Sequence, residues 1–316
     1  MSGAINNPIF QDETKAREFL EAQRWPNGPF CPHCGAVEHI RKLKGKSHRP
    51  GLHQCNECRE HFTVTVGTLY ERSHIPLHKW LLASYLLCSS KKGISAHQIH
   101  RMLGITYKSA WFMCHRIREA MAPHGNLPPL GGEGKTVEAD ETFVGGKEKN
   151  KHAKDRKHLG RGGVGKEAVF SLVERGGKVR STHVKTVTAA TLRPIMNEQI
   201  AAETHLMTDD ARQYIPLGKE FAAHDTVCHS IGEYVRGGAH TNTIEGYFSI
   251  FKRGMTGVYQ HCSADHLKRY LAEFDFRYNE REALGVNDDV RFERTLKGIE
   301  GKRLTYRRIG GEEQAA

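Results

Sequence analysis

The sequence predicts an α/β chain in which a large domain on a mixed sheet follows a small metal-stapled module and a helical one. Three observations carry this. Two CxxC pairs lie near the N-terminus, Cys31/Cys34 and Cys55/Cys58, and residues 75–122 read as a run of amphipathic helices. Beyond a Pro/Gly-rich stretch, three strands precede the first helix and strand then alternates with helix, the pattern of a mixed α/β sheet. A chain of 316 residues has room for two or three domains with cores of their own. Its 47 Lys+Arg against 36 Asp+Glu give a net charge of +11, which predicts a polyanionic partner, nucleic acid first. The chain opens without a basic region leading into an apolar one, and its longest apolar stretch, "WLLASYLLC", falls far short of a membrane span. No membrane partner is expected, and the expected location is the cytoplasm, associated with the nucleoid.

The first segment, residues 1–72, predicts a short helix over "TKAREFLEAQRW", broken by "PNGP", and then a zinc ribbon. Twenty residues separate the two CxxC knuckles, and the alternating "HFTVTV" follows the second. Each knuckle turn offers two thiolates from one side, so Cys31, Cys34, Cys55 and Cys58 predict a structural Zn²⁺ site. His33 and His53 lie nearby but are not needed as ligands; they are expected to be solvated or to touch phosphate. Cys88, Cys114, Cys228 and Cys262 are expected to be buried small apolar residues.

Residues 73–122 predict three helices, "IPLHKWLLASYLLCSSKKG", "SAHQIHRMLG" and "TYKSAWFMCHRIREAMA", with Ser95 and Thr106 at N-cap positions and a tight Gly-containing turn between the last two. That is the outline of a helix-turn-helix, whose second helix carries Tyr107, Lys108, Arg116 and Arg118 as candidate DNA contacts. The alternative is a packing hairpin that links domains.

A linker at 123–135 leads into the domain at 136–290, and 291–316 reads as a C-terminal tail. The strands are "TVEADETFV", "EAVFSLVER", "KVRSTHVKTV", "THLMTDD" and "TVCHS", with helices after the third and fourth and a longer one over "HTNTIEGYFSIFKRG". This is the order a ribonuclease H-like fold requires. "GRGGVGK", Gly160 to Lys166, imitates a phosphate-binding loop, but Glu167 stands where a magnesium-binding hydroxyl is needed. Residues 145–166 hold eight Lys/Arg against two acids and predict a basic loop that meets phosphates through Lys147, Lys151 and Lys157, with Lys149 and Lys154 beside them.

Asp140 lies inside a strand, where a carboxylate is costly to bury unless paired or bound to metal. Asp209 ends another strand, where ligands collect in open α/β sheets, and 35 residues separate it from Glu245, on a helix that could lie over both. Three such carboxylates together predict a site for Mg²⁺ or Mn²⁺, which suits phosphodiester chemistry. Lys252, two turns beyond Glu245, is a candidate phosphate contact. The structural alternatives are a hydrogen-bonded acid at Asp140, a helix cap at Asp209 with Asp210 competing, and a surface pair at Glu245.

These residues carry a resemblance. "EADETFVGG", "MTDDARQY", "HTNTIEGYFSIFKRG" and "YLAEFDFRYNERE" together resemble the bacterial insertion-sequence transposases of the DDE superfamily that have an N-terminal zinc ribbon. The resemblance implies a DNA transposase that binds terminal inverted repeats and cleaves and transfers strands, with Asp140, Asp209 and either Asn242 or Glu245 at the metals, and Lys252 following. It implies double-stranded DNA and further copies of the chain as partners. Glu245 is favoured over Asn242 on the lysine register and on charge. The rival is a non-catalytic DNA-binding regulator, and a structure-selective nuclease is a third possibility.

Overall fold

The structure, a computed structural model, describes residues 4–146, 152, 154, 156, 163, 165–227 and 240–305. It divides into two compact units. One takes Met1–Ser90, Ile94–Ala122 and the stretch from Asp288; the other takes Lys91–Gly93 and Pro123–Asn287.

In the first unit, helix α1 (Glu13–Arg24) is started by Asp12, whose side chain accepts from the Lys15 amide. Strands β1 (Ile40–Lys42), β2 (His53–Cys55) and β3 (His61–Phe62) form an antiparallel ribbon. Trp25, just past α1, packs edge-on against His53 and Phe62, at 5.2 and 5.9 Å between ring centres. Helices α2 (Leu77–Ser89), α3 (Ala96–Leu103) and α4 (Tyr107–Met121) follow, with Ser95 and Thr106 accepting from the amides that α3 and α4 leave unpaired. Gly104 closes α3 at φ +61°, a conformation that excludes most side chains and lets α4 begin three residues later.

Helix α9 (Asp288–Lys297) crosses the boundary at 290/291 and occupies the start of the stretch the sequence leaves as a tail. Phe292 stacks on Phe19 and meets Phe10 and Tyr85, and Leu296 and Ile299 are buried. The backbone past α9 pairs with the ribbon's exit, Leu69 N donating to Ile299 O and Gly301 N to Gly67 O.

The second unit is built on a five-stranded mixed sheet in the order β6-β5-β4-β7-β8. Its strands are β4 (Thr136–Val144), β5 (Glu167–Glu174), β6 (Val179–Val184), β7 (His205–Asp209) and β8 (Ala223–Val227). The first three are antiparallel, while β7 and β8 add in parallel beside β4. One face packs Val137, Ala139, Phe170 and Leu206 against α5 (Ala189–Gln199) and α6 (Tyr214–Gly218). The other packs Val169, Val173 and Val179 against α7 (Asn242–Gly254) and α8 (Ala264–Asn279). A sheet covered on both faces explains why β5 reads as a nearly continuous apolar run. Leu130, within the linker, is buried in the first of these cores and its backbone pairs with Gln199 and Ala201. Strand β8 lies earlier than "TVCHS" implies; residues 228–230 fall outside the described residues.

Candidate metal centres

The knuckle turns bring four sulfurs together. Cys31 Sγ and Cys58 Sγ are 3.6 Å apart, Cys34 Sγ and Cys55 Sγ 3.7 Å, and all four lie within 4.8 Å of one another. Four sulfurs on a tetrahedron around Zn²⁺ at about 2.3 Å are separated by roughly 3.8 Å, so the spacing fits the ion. The electrostatics agree. The Cys58 amide, helped by that of Glu57 against burial, lowers Cys55 to about 7. The Glu60 amide pulls Cys58 down, but burial and the neighbouring sulfurs outweigh it and push that thiol up to about 12. The thiol of Cys55 ionises readily while those of Cys34 and Cys58 resist, so four thiolates need a dication among them. His53 is a correction to the sequence reading: it is 4% exposed, stacked on Phe62, with Nδ1 against Gly51 O, because the ribbon needs an apolar wall beside Trp25. His33 is exposed. Cys88 and Cys114 are buried and Cys262 is half-buried, while Cys228 falls outside the described residues.

The carboxylates take their positions from strand register. In the parallel pair, Thr136 faces His205 and Glu138 faces Met207. Continuing that register by two residues sets Asp140 level with Asp209, and in-register residues of parallel strands point to the same face. That face is the one α7 covers, since Glu138, of the same parity, reaches the first turn of α7. Asp209 closes β7, its Oδ1 accepting from the Ala211 amide in a tight turn. Glu245 lies in the first turn of α7, exposed, with Thr241 Oγ1 donating to its Oε1 at 3.3 Å.

Burial first, then the charge on Glu141, and further on those on Asp209 and Glu245, raise Asp140 from 3.8 to about 7; only the Glu141 amide, donating to Oδ1 at 2.7 Å, pulls the other way. Among the described residues only the four cysteines hold their donor atoms mutually within 4.8 Å, so the acids form a looser group than the thiols. Their hard oxygens suit Mg²⁺ or Mn²⁺. Asn242 is exposed at the start of α7, and Lys252 is exposed near its end, with Nζ 5.9 Å from the Phe248 ring.

Sequence reasoning passes over two acids beside Asp140. Glu138 is fully buried and accepts from Arg175 Nε at 2.7 Å, from Thr243 Oγ1 and from the Ile244 amide, both at 2.9 Å. Glu138 is also a carboxylate inside β4 and is buried more deeply than Asp140, so its need for partners is the greater. Glu141 points to the opposite face, where Tyr214 Oη donates to it at 2.5 Å and Gln213 Nε2 at 3.2 Å.

Among the candidate DNA contacts, Tyr107 and Lys108 are exposed in the first turn of α4, Tyr107 stacked on His97 at 4.1 Å. Arg116 and Arg118 require correction. Arg118 is 2% exposed, and Arg116 spends its guanidinium on the carbonyls of Leu304 and Glu71 and on the Phe112 ring, because α4 is buried on most sides after its first turn. Lys147, Lys149, Lys151 and Lys157 lie outside the described residues, whereas Lys154 is exposed. No helix among the described residues is long and apolar enough to cross a membrane.

Comparison with known proteins matches residues 129–279 to the ISXO2-like transposase domain and residues 11–61 to the transposase zinc-ribbon domain. A protein of the transposable element ISH50 of Halobacterium salinarum is 31% identical over 279 residues, covering 85% of this chain and 91% of its own. A transposase-like protein of Haemophilus influenzae is 28% identical over 105 residues, 33% of this chain and 84% of its own. A chain from a cryo-EM structure of the simian T-cell lymphotropic virus intasome in complex with PP2A regulatory subunit B56 gamma aligns with 61% of this chain and 66% of its own, at 16% identity and a TM-score of 0.29, too low to support a conclusion. The two domain matches and the relative that is similar along most of its length agree, and the chain belongs to the ISXO2-like insertion-sequence transposases with a zinc ribbon.

Proposed function

We propose that this transposase binds the terminal inverted repeats of its element, cleaves DNA there and joins the freed 3′ end to target DNA, with Asp140, Asp209 and Glu245 holding the metal ions. The observation that carries the reading is the parallel register of β4 and β7, which continues to set Asp140 level with Asp209 on the face that the first turn of α7, with Glu245, covers. Divalent ions at such a site supply an activated attacking oxygen and a stabilised leaving oxygen. The chain's own residues do the rest: the register of mid-strand Asp140 on β4 against Asp209 at the end of β7 sets two carboxylates side by side, the first turn of α7 supplies the third, and Lys252 meets a phosphate. The strand order, with three antiparallel strands and two parallel ones added beside the first, supports a ribonuclease H-like catalytic domain over residues 136–290. Residues 1–72 and 73–122 are assigned to end recognition, with Tyr107 and Lys108 at the leading turn of the second helix of a helix-turn-helix, where base contacts are made.

The test is cleavage and joining of a labelled terminal-repeat duplex in Mg²⁺ or Mn²⁺, with binding to the same duplex measured in Ca²⁺. Wild type is expected to nick and join, and Asp140→Asn to bind without cutting. An Asn variant that cuts at the wild-type rate removes Asp140 from the site. A wild type that binds the repeats and never cuts returns the function to a non-catalytic regulator.

A further inference from the structure

Helix α7 starts without a cap of its own. Thr241 stands at the N-cap but makes no capping bond, and its hydroxyl donates onward to Glu245. The first turn of a helix leaves amides that need an acceptor, and its positive dipole end favours an anion. Glu138 supplies both from the neighbouring strand, one oxygen on the Ile244 amide and the other on Thr243 Oγ1 and Arg175 Nε. Arg175 also donates from Nη2 to His240 O at 2.7 Å, so the residues entering α7 are tied to the same pair. On the opposite face Glu141 makes the corresponding contact with the segment after Asp209, through Tyr214 and Gln213.

We propose that Glu138 and Glu141 are positioning residues for the metal site: Glu138 holds the first turn of α7, and with it Glu245, while Glu141 holds the segment that follows Asp209. In "VEADE" the central acid faces the chemistry and the acids around it fasten the two segments that bring the other carboxylates. The inference rests on the reading of Asp140, Asp209 and Glu245 as the metal-holding set. It differs from packing alone, because each set of contacts includes a side-chain hydroxyl hydrogen bond, from Thr243 to Glu138 and from Tyr214 to Glu141, that can be removed with little change of shape.

The experiment uses the full chain and two readouts. Hydrogen exchange of peptides spanning residues 241–252 and 209–218 reports the two segments without metal, and a Mn²⁺ titration reports affinity. Thr243→Val is expected to speed exchange in the first turn of α7 and weaken Mn²⁺ binding about 10-fold or more, within the roughly 10- to 100-fold span usual when a group that orients metal ligands is lost. Thr243→Ser, which restores the hydroxyl, is expected to recover both. Tyr214→Phe is expected to loosen 209–218 and leave 241–252 as in wild type. Unchanged exchange and Mn²⁺ affinity in Thr243→Val and Tyr214→Phe overturn the proposal, as does a Thr243→Ser variant no better than Thr243→Val. Asp140→Asn separates the two ideas. If it still cleaves while the other variants loosen their segments, the catalytic reading fails and the fastening stands.

Discussion

Asn242 and Glu245 sit three residues apart on the exposed first turn of α7, and the chemistry of their oxygens separates them. An anionic ligand neutralises and orients a cation pair, whereas an amide offers a neutral oxygen. Glu245→Gln is therefore expected to lower strand cleavage by at least about 100-fold, roughly 3 kcal/mol of transition-state stabilisation, with repeat binding in Ca²⁺ unchanged. Asn242→Ala is expected to be milder. The opposite order of severity, read on the same labelled duplex, makes Asn242 the third ligand. Asp275 on α8 titrates away from the chemistry. Burial raises it to about 6, although Tyr247 Oη, Ser181 Oγ and the Ser181 amide all donate to it. A carboxyl held above its unfolded value binds its proton more tightly when folded, so its contribution is complete below about pH 4 and is lost as pH rises through about 6. Urea unfolding is expected to show a fall, at most about 3 kcal/mol, between pH 4 and pH 7 that Asp275→Asn lacks. Parallel profiles for the two proteins would remove Asp275 as its source.

At the scale of elements, the ribbon depends on its ion more than on its core. The module has short strands and few buried apolar side chains, so Cys31→Ser or Cys58→Ser is expected to unfold it locally and abolish specific end binding. Elemental analysis should find one zinc per wild-type chain, and a zinc-free preparation with full end binding would contradict this. The sequence makes such elements legible because their signals are local: CxxC spacing, Ser95 and Thr106 as caps, and the alternation along β4. Helix α9 escapes notice for the converse reason. "DDVRFERTLK" is mostly charged, and its apolar stripe consists largely of Phe292 and Leu296, so only contact with Phe10, Phe19 and Tyr85 makes it a core element. Phe292→Ala is expected to cost about 3–5 kcal/mol, visible as a lower unfolding midpoint of the first unit.

At the scale of the whole molecule, element order was readable, and with it the sheet that sets Asp140 beside Asp209. The contacts proposed to hold the candidate site were not, because those of Glu138 with Thr243 and of Glu141 with Tyr214 join residues 105 and 73 positions apart. Arg116 and Arg118 show the same limit: their charge suggested DNA, and the carbonyls and rings that enclose them come from distant parts of the chain. Net charge survives this correction, since +11 is a property of the sum. Its expected outlet is the segment 145–166, where cations crowd a glycine-rich stretch and can meet phosphates in many geometries. Replacing Lys147, Lys149, Lys151, Lys154 and Lys157 by Gln is expected to weaken repeat and random duplexes alike. Each phosphate contact removed should lower the slope of log affinity against log salt by about 0.9. A variant with the wild-type slope takes the loop out of the interface, and one that loses only repeat binding would make it a reader of sequence.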